Sequence, residues 1–216
     1  MISYILFAYQ MLLLNSFENM PKNPFCKRNV SMNPIDMRFN VNVIKGLIGE
    51  KFIKYKCDAF DFTNSVTQIV GIYIGERVFS LTNIQENVDY FGNADDIAIC
   101  RFTETADDRV KSAFKDTEMI TTPVGGTINK ILLINENQKL YKNGKELYNV
   151  WLTRAMVFFV DGREISFEKD NVPFSEEIII QRGYDLIEKL SDEKEFLTSW
   201  SEGLVPDCKR DILSIA

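Results

Sequence analysis

The sequence predicts an α+β fold built mainly on an antiparallel β-sheet, highly twisted or barrel-like, with one short helix after the second hairpin and another at the C-terminus. Three observations carry this expectation. From about residue 50 apolar residues recur with period two, Asn-Gly and Asp-Gly dipeptides stand between alternating segments, and helical spacing returns only near the end. The chain is 45% hydrophobic and 12% aromatic, enough for a full core without staples.

Met1 to Leu14 is uncharged and largely apolar, but 14 residues fall short of the 18 or more that a membrane-spanning helix needs. The first basic residue is Lys22, after the apolar run, so the stretch also lacks the basic start of an export signal. Five of the seven methionines lie within the first 37 residues. Two readings stand side by side: translation begins at Met32 or Met37, or the stretch is an amphipathic helix docked on the domain. The expected division is an extension over residues 1–31 and a single domain over 32–216.

Lys51 to Ala59 alternates, with Ile53, Tyr55 and Cys57 on one face, and Gln68 to Ile74 is an apolar run of the kind found in central strands. Gly75 then turns the chain into Val78–Leu81. Thr82-Asn-Ile-Gln85 matches a capping box and Gly92-Asn93 a helix stop, which predicts a two-turn helix over 83–91. Ile97 to Thr103 reads as a strand, and the polar segment 104–118 as a loop or short exposed helix.

Asn143-Gly144 and Asp161-Gly162 tolerate the positive φ angles of type I′ hairpin turns. With the segments beside them and Thr127 to Asn135 ahead, they predict a meander of five strands. Glu177 to Gln181 extends as a last strand. Tyr184, Leu186, Ile187 and Leu190 then recur at helical spacing, with Ser191 capping a further turn toward Phe196 and Trp200, so a C-terminal helix should cross a sheet of seven to nine strands.

The chain contains no histidine, which removes Ser-His and Cys-His nucleophile pairs and the commonest transition-metal ligand. Its four cysteines, at 26, 57, 100 and 208, form no C-x-x-C and read as reduced core residues of a cytoplasmic protein. Neither a P-loop nor a dinucleotide fingerprint occurs, and Gly125-Gly126 precedes a strand pattern rather than a helix, so it reads as a loop hinge. No cofactor is expected.

Net charge is −6, which disfavours simple adhesion to nucleic acid or to an anionic membrane. Residues 76–118 hold 10 acidic against 5 basic side chains, and so do 171–216. Carboxylates on a rigid scaffold imitate the phosphate array of DNA and could occupy the basic cleft of a nucleic-acid enzyme, and Asp95, Asp96, Asp107 and Asp108 are the candidate contacts. The competing reading is a solubilising face. The three acidic pairs Asp95-Asp96, Asp107-Asp108 and Glu176-Glu177 would instead serve a hard cation such as Mg²⁺ if they converged, making a metal-dependent phosphoesterase or nuclease.

Aromatic residues crowd the meander. Those turned inward are core, whereas Tyr141, Tyr148 and Trp151 would form a recognition patch on the outside. Six basic residues there (Lys130, Lys139, Lys142, Lys145, Arg154, Arg163) are nearly cancelled by Glu136, Glu146, Glu164 and Glu168, giving a mixed solvated face that would touch nucleic acid only with a partner's help.

An acidic single domain without histidine or cofactor fingerprint, rich in Asn, Lys and Ile, resembles the small accessory proteins of bacterial phages and mobile elements. In size and character the 185 residues from Met32 onward are similar to anti-CRISPR inhibitors of Cas9-type nucleases. The resemblance is one of type and brings no functional residue with it. It implies a cytoplasmic, non-enzymatic module that binds another protein, such as a nucleic-acid-processing enzyme, and acts by occlusion. A phage structural or assembly protein is the remaining alternative, and it would show a large apolar interface and a symmetric oligomer.

Overall fold

The computed structural model describes residues 34–59, 64–91, 93–170, 173, 175–198 and 200–216. The expected N-terminal extension and its boundary at 31/32 lie outside them. Among the described residues eleven strands form one mostly antiparallel sheet, more than the seven to nine expected, and helices are few and short. No described helix is long and apolar enough to cross a membrane.

In chain order the elements are β1 (Ile35–Met37), α1 (Val41–Lys45), β2 (Lys51–Cys57), β3 (Ser65–Thr67), β4 (Ile69–Ile74), β5 (Arg77–Tyr90) and β6 (Asn93–Thr105). A 3₁₀ turn at Asp107–Arg109 follows, then β7 (Ile120–Lys142), β8 (Lys145–Val160), β9 (Arg163–Lys169) and β10 (Glu177–Gly183). The chain ends with a 3₁₀ turn at Leu186–Lys189, α2 (Lys194–Thr198) and β11 (Leu204–Ile215). The sheet order is β3-β10-β9-β8-β7-β2-β4-β5-β6, with β1 alongside β8 in a parallel pairing and β11 alongside β7.

The two dipeptide turns lie where the sequence puts them, with φ of 52° and 72° at Asn143 and Gly144, and 46° and 78° at Asp161 and Gly162. The five-strand meander, however, is three strands. Residues 127–135 and 139–142 belong to one 23-residue strand, β7, and the segments from Lys145 to Val160 to another, because register shifts at 134/135 and 140/141 absorb the irregularities without ending the ladder. Gly125-Gly126 lies inside β7, where the strand passes from its pairing with β2 to its pairing with β8. A Cβ at Gly126 would stand 2.5 Å from Cγ1 of Val160, so glycine there permits close backbone approach rather than a hinge.

The predicted helix over 83–91 is strand β5, paired rung for rung with β6 from Val78↔Thr105 to Tyr90↔Asn93. The Gln85 amide, which a capping box would give to Thr82, donates to Glu176 Oε1 at 2.7 Å, and the Asn83 side chain donates to the carbonyls of Ser175 and Glu177 at 2.8 and 3.1 Å. These bonds, with Gln68 N–H to the Glu176 carbonyl, form a seam between the two ends of the sheet. The ladder itself does not close into a barrel. The expected C-terminal helix is likewise reduced to the 3₁₀ turn and the five residues of α2, and the chain ends instead in β11.

In the main core Phe52 packs edge-on against Phe158 with centroids 5.1 Å apart, and Phe79 stacks on Phe102 at 5.0 Å. On the other face of β7 and β8, Leu186 and Leu190 cover Leu132, Ile134 and Val157. A third cluster joins Tyr90, Phe91, Tyr148, Phe196 and Trp200 under α2. Of the six basic residues of the meander, Lys142, Lys145 and Arg163 are exposed, Lys130 and Lys139 half-buried, and Arg154 is buried. Arg154 and Glu168 are 2% and 1% exposed and ion-paired at 3.4 Å, and Glu136, 2% exposed, accepts from Arg210 at 2.6 Å.

Candidate interaction surface

The hairpin of β5 and β6 is the acidic ribbon anticipated in the sequence, and β6 is the terminal strand of the sheet. Near the hairpin end the Asp96 amide donates to Asp95 Oδ1 at 3.0 Å, and Asn87 Nδ2 donates to Asp96 Oδ1 at 3.0 Å. These bonds fix both carboxylates on the strand without neutralising them, because neither has a cationic partner among the described residues. As consecutive strand residues they point to opposite faces. Farther along, Glu86 and Arg101 hold each other in a two-pronged ion pair.

Asp107 and Asp108 lie at the other end of β6. From Asp96 to Thr105 the strand advances about 30 Å, so the two acidic pairs do not form one patch. Asp107 is also neutralised. Its Oδ1 accepts from Lys56 Nζ at 2.8 Å and from the Tyr73 hydroxyl, and Lys56, then Tyr73, hold its carboxyl below the ordinary carboxylate value. Lys54 and Lys56 sit 4.6 and 5.1 Å from the Tyr73 ring centroid, making this corner a mixed-charge cluster. Beside it, a cavity of about 580 Å³ is lined by Lys56, Lys111, Lys115 and Phe114, with Asp116 and Glu118.

The third acidic pair is used in the seam. Glu176 accepts from Gln85 and from Gln68 Nε2, and Glu177 accepts from Ser65 at 2.8 Å. Among the described residues no three Asp, Glu or Cys side chains gather closely enough to hold a metal ion.

The aromatic candidates divide by strand parity. Tyr148, 7% exposed, lies in the third cluster, with its hydroxyl donating to Gln138 Oε1 at 3.1 Å. Tyr141 and Trp151 are half-buried on the opposite face of the β11–β7–β8 sheet, where Tyr141 neighbours Val205, and Arg38 stacks 4.8 Å from the Trp151 ring. The residues that sequence reasoning missed belong to the ends of the described fold: Arg38 beside β1, and Val205, Lys209, Asp211, Ile212 and Leu213 on β11. Only a period-two reading of 204–215 could have pointed to the latter, and Pro206 argues against such a reading.

Comparison with protein families, with curated proteins and with solved structures finds no match to this chain.

Proposed function

We propose that this chain is a non-enzymatic protein-binding module of the kind carried by phages and mobile elements. It acts in the cytoplasm by occluding the basic nucleic-acid cleft of a partner such as a CRISPR nuclease. The observation that carries this reading is the pair Asp95 and Asp96, rigidly hydrogen-bonded, unneutralised and placed on the last strand of the sheet. Fixed carboxylates near the hairpin end meet a basic groove without losing side-chain entropy on binding, and opposite charge accelerates the encounter. Asp107 has its lysine already, which makes the hairpin end of the ribbon the contact.

The test is inhibition of target-DNA cleavage by a guide-loaded Cas9-type nuclease, titrated with the purified chain at about 50 and about 200 mM salt. Inhibition should weaken at the higher salt. Asp95→Lys with Asp96→Lys should weaken it by about a hundredfold, since each close charge pair across an interface contributes roughly 1.5 kcal/mol or more, while Asp108→Lys changes little and circular dichroism is unaltered. Full cleavage at large molar excess of the chain removes this nuclease as the partner. Inhibition indifferent to the double reversal removes the ribbon as the contact.

A further inference from the structure

β11 is paired along one edge only. Its register with β7 runs unbroken from Leu204↔Lys142 to Ile215↔Ile131, and no described strand lies along its other side. Up to Arg210 the even-numbered residues are half-buried on the side of α2 and the odd-numbered ones are exposed, and from Asp211 to Ser214 every residue is exposed. Ile212 and Leu213 point to opposite faces and are both open, at 47% and 37%, and Val205 is 61% exposed. Edge strands are ordinarily short or blunted by proline and charge. Here Pro206 blunts the first half and leaves the second half available.

We propose that β11 pairs with β11 of a second copy of this chain, antiparallel about a twofold axis at Arg210, so that the sheet continues across a symmetric dimer. Charge and apolar contact together choose this register. With Arg210 opposite its own copy, Lys209 falls opposite Asp211 of the second copy, twice by symmetry, and Val205 lies diagonal to the exposed Leu213, while Ile215 opposite it is already buried in its own core. An axis at Lys209 would set Lys209 against itself and Asp207 against Asp211, all like charges. An axis at Cys208 would pair Lys209 with Asp207 equally well, but it would bring Pro206, which has no N–H, into the central rungs and leave Leu213 uncovered. The two guanidinium groups at the Arg210 axis are each held within their own copy, by Glu136 at 2.6 Å and by the Ser191 carbonyl at 2.7 Å.

Sedimentation of the full chain across a range of concentrations tests this by a charge swap. Lys209→Asp and Asp211→Lys should each weaken the dimer by about tenfold, because two attractive cross-strand pairs become repulsive. The double variant Lys209→Asp/Asp211→Lys should restore it. Asp211 also lies within electrostatic reach of Arg38, whose main partner is Asp36 at 2.7 Å, so each variant is first checked for native circular dichroism, and the exposed Lys209→Asp serves alone if Asp211→Lys does not fold. A monomer at every concentration, single variants that associate like the parent, or a double variant that does not recover would each overturn the proposal.

Discussion

At Gly71, in the centre of β4, a methyl group has no room: a Cβ there would lie 2.4 Å from Cγ1 of Val110 and 3.3 Å from Cε2 of Tyr73. Val110, 7% exposed, ends the 3₁₀ turn that carries Asp107, so this contact seats the Lys56–Tyr73–Asp107 cluster on the sheet. Gly71→Ala is therefore expected to cost about 1–3 kcal/mol of stability through overpacking. Gly71→Ala with Val110→Ala should lose less than the two single losses added, because the second change removes the branch that the first one strikes. Urea unfolding of the three variants measures both, and a Gly71→Ala protein as stable as its parent would show that Val110 is not held there. Little of this was legible beforehand, since Gly71 reads in the sequence only as a gap in an apolar run. The division of Tyr148 from Trp151 was no more legible: the expected five-strand meander put a break between 148 and 153, and only because one strand runs from Lys145 to Val160 does parity send the two to opposite faces.

Among the elements, those with local punctuation were legible and those defined by remote partners were not. The two hairpin turns need positive φ at two successive residues, a requirement that Asn-Gly and Asp-Gly satisfy on their own. The segment 82–91 carries helix-start letters, but it also carries Thr82, Ile84, Val88 and Tyr90 at period two, and tertiary bonding decided between the two patterns. Asn83, fully buried, spends its amide on the carbonyls of Ser175 and Glu177, more than ninety positions away. Replacing it by leucine removes both donors at similar volume and leaves the Ser175 carbonyl unpaired, while the Glu177 carbonyl keeps the Asp170 amide, a loss of about 1–3 kcal/mol. Hydrogen exchange should then speed up at Gln85 and Ala98, whose amides bond across the same seam, while β7 and β8 stay protected. Unchanged exchange at those two amides would mean that the seam does not depend on Asn83. β11 was invisible for a related reason. Its residues include Pro206 and the charged Asp207, Lys209, Arg210 and Asp211, and only the long ladder of β7 makes a strand of them.

For the molecule as a whole, charge counted along the chain could not separate neutralised carboxylates from free ones. Asp107 and Asp96 differ through Lys56, 51 positions from Asp107 and brought to it by the pairing of β2 with β4. The same folding buries titratable groups whose effects add up in the global stability. Burial, and then the nearby Arg154, pulls Lys169 down from 10.5 to about 8. The unfolded chain keeps that proton where the folded chain has released it, so stability rises as pH climbs from about 8 toward 10.5. The thiols act in the opposite sense. Burial pushes Cys57 up from 9.0 to about 11, and Cys100 and Cys208 up to about 12. Above about pH 9 the unfolded chain therefore sheds protons that the folded one retains, and stability falls as pH rises toward 11 and 12. The two trends meet between about pH 8 and 9, where thermal stability should be greatest. Lys169→Met removes the rising limb: the variant should melt at a higher temperature than its parent near pH 7, keep a flat profile to about pH 9, and decline beyond it. Thermal melts of both proteins over that range check the sign directly, and a parent whose melting temperature does not rise between about pH 7 and 8.5 would show that Lys169 keeps its proton in the fold.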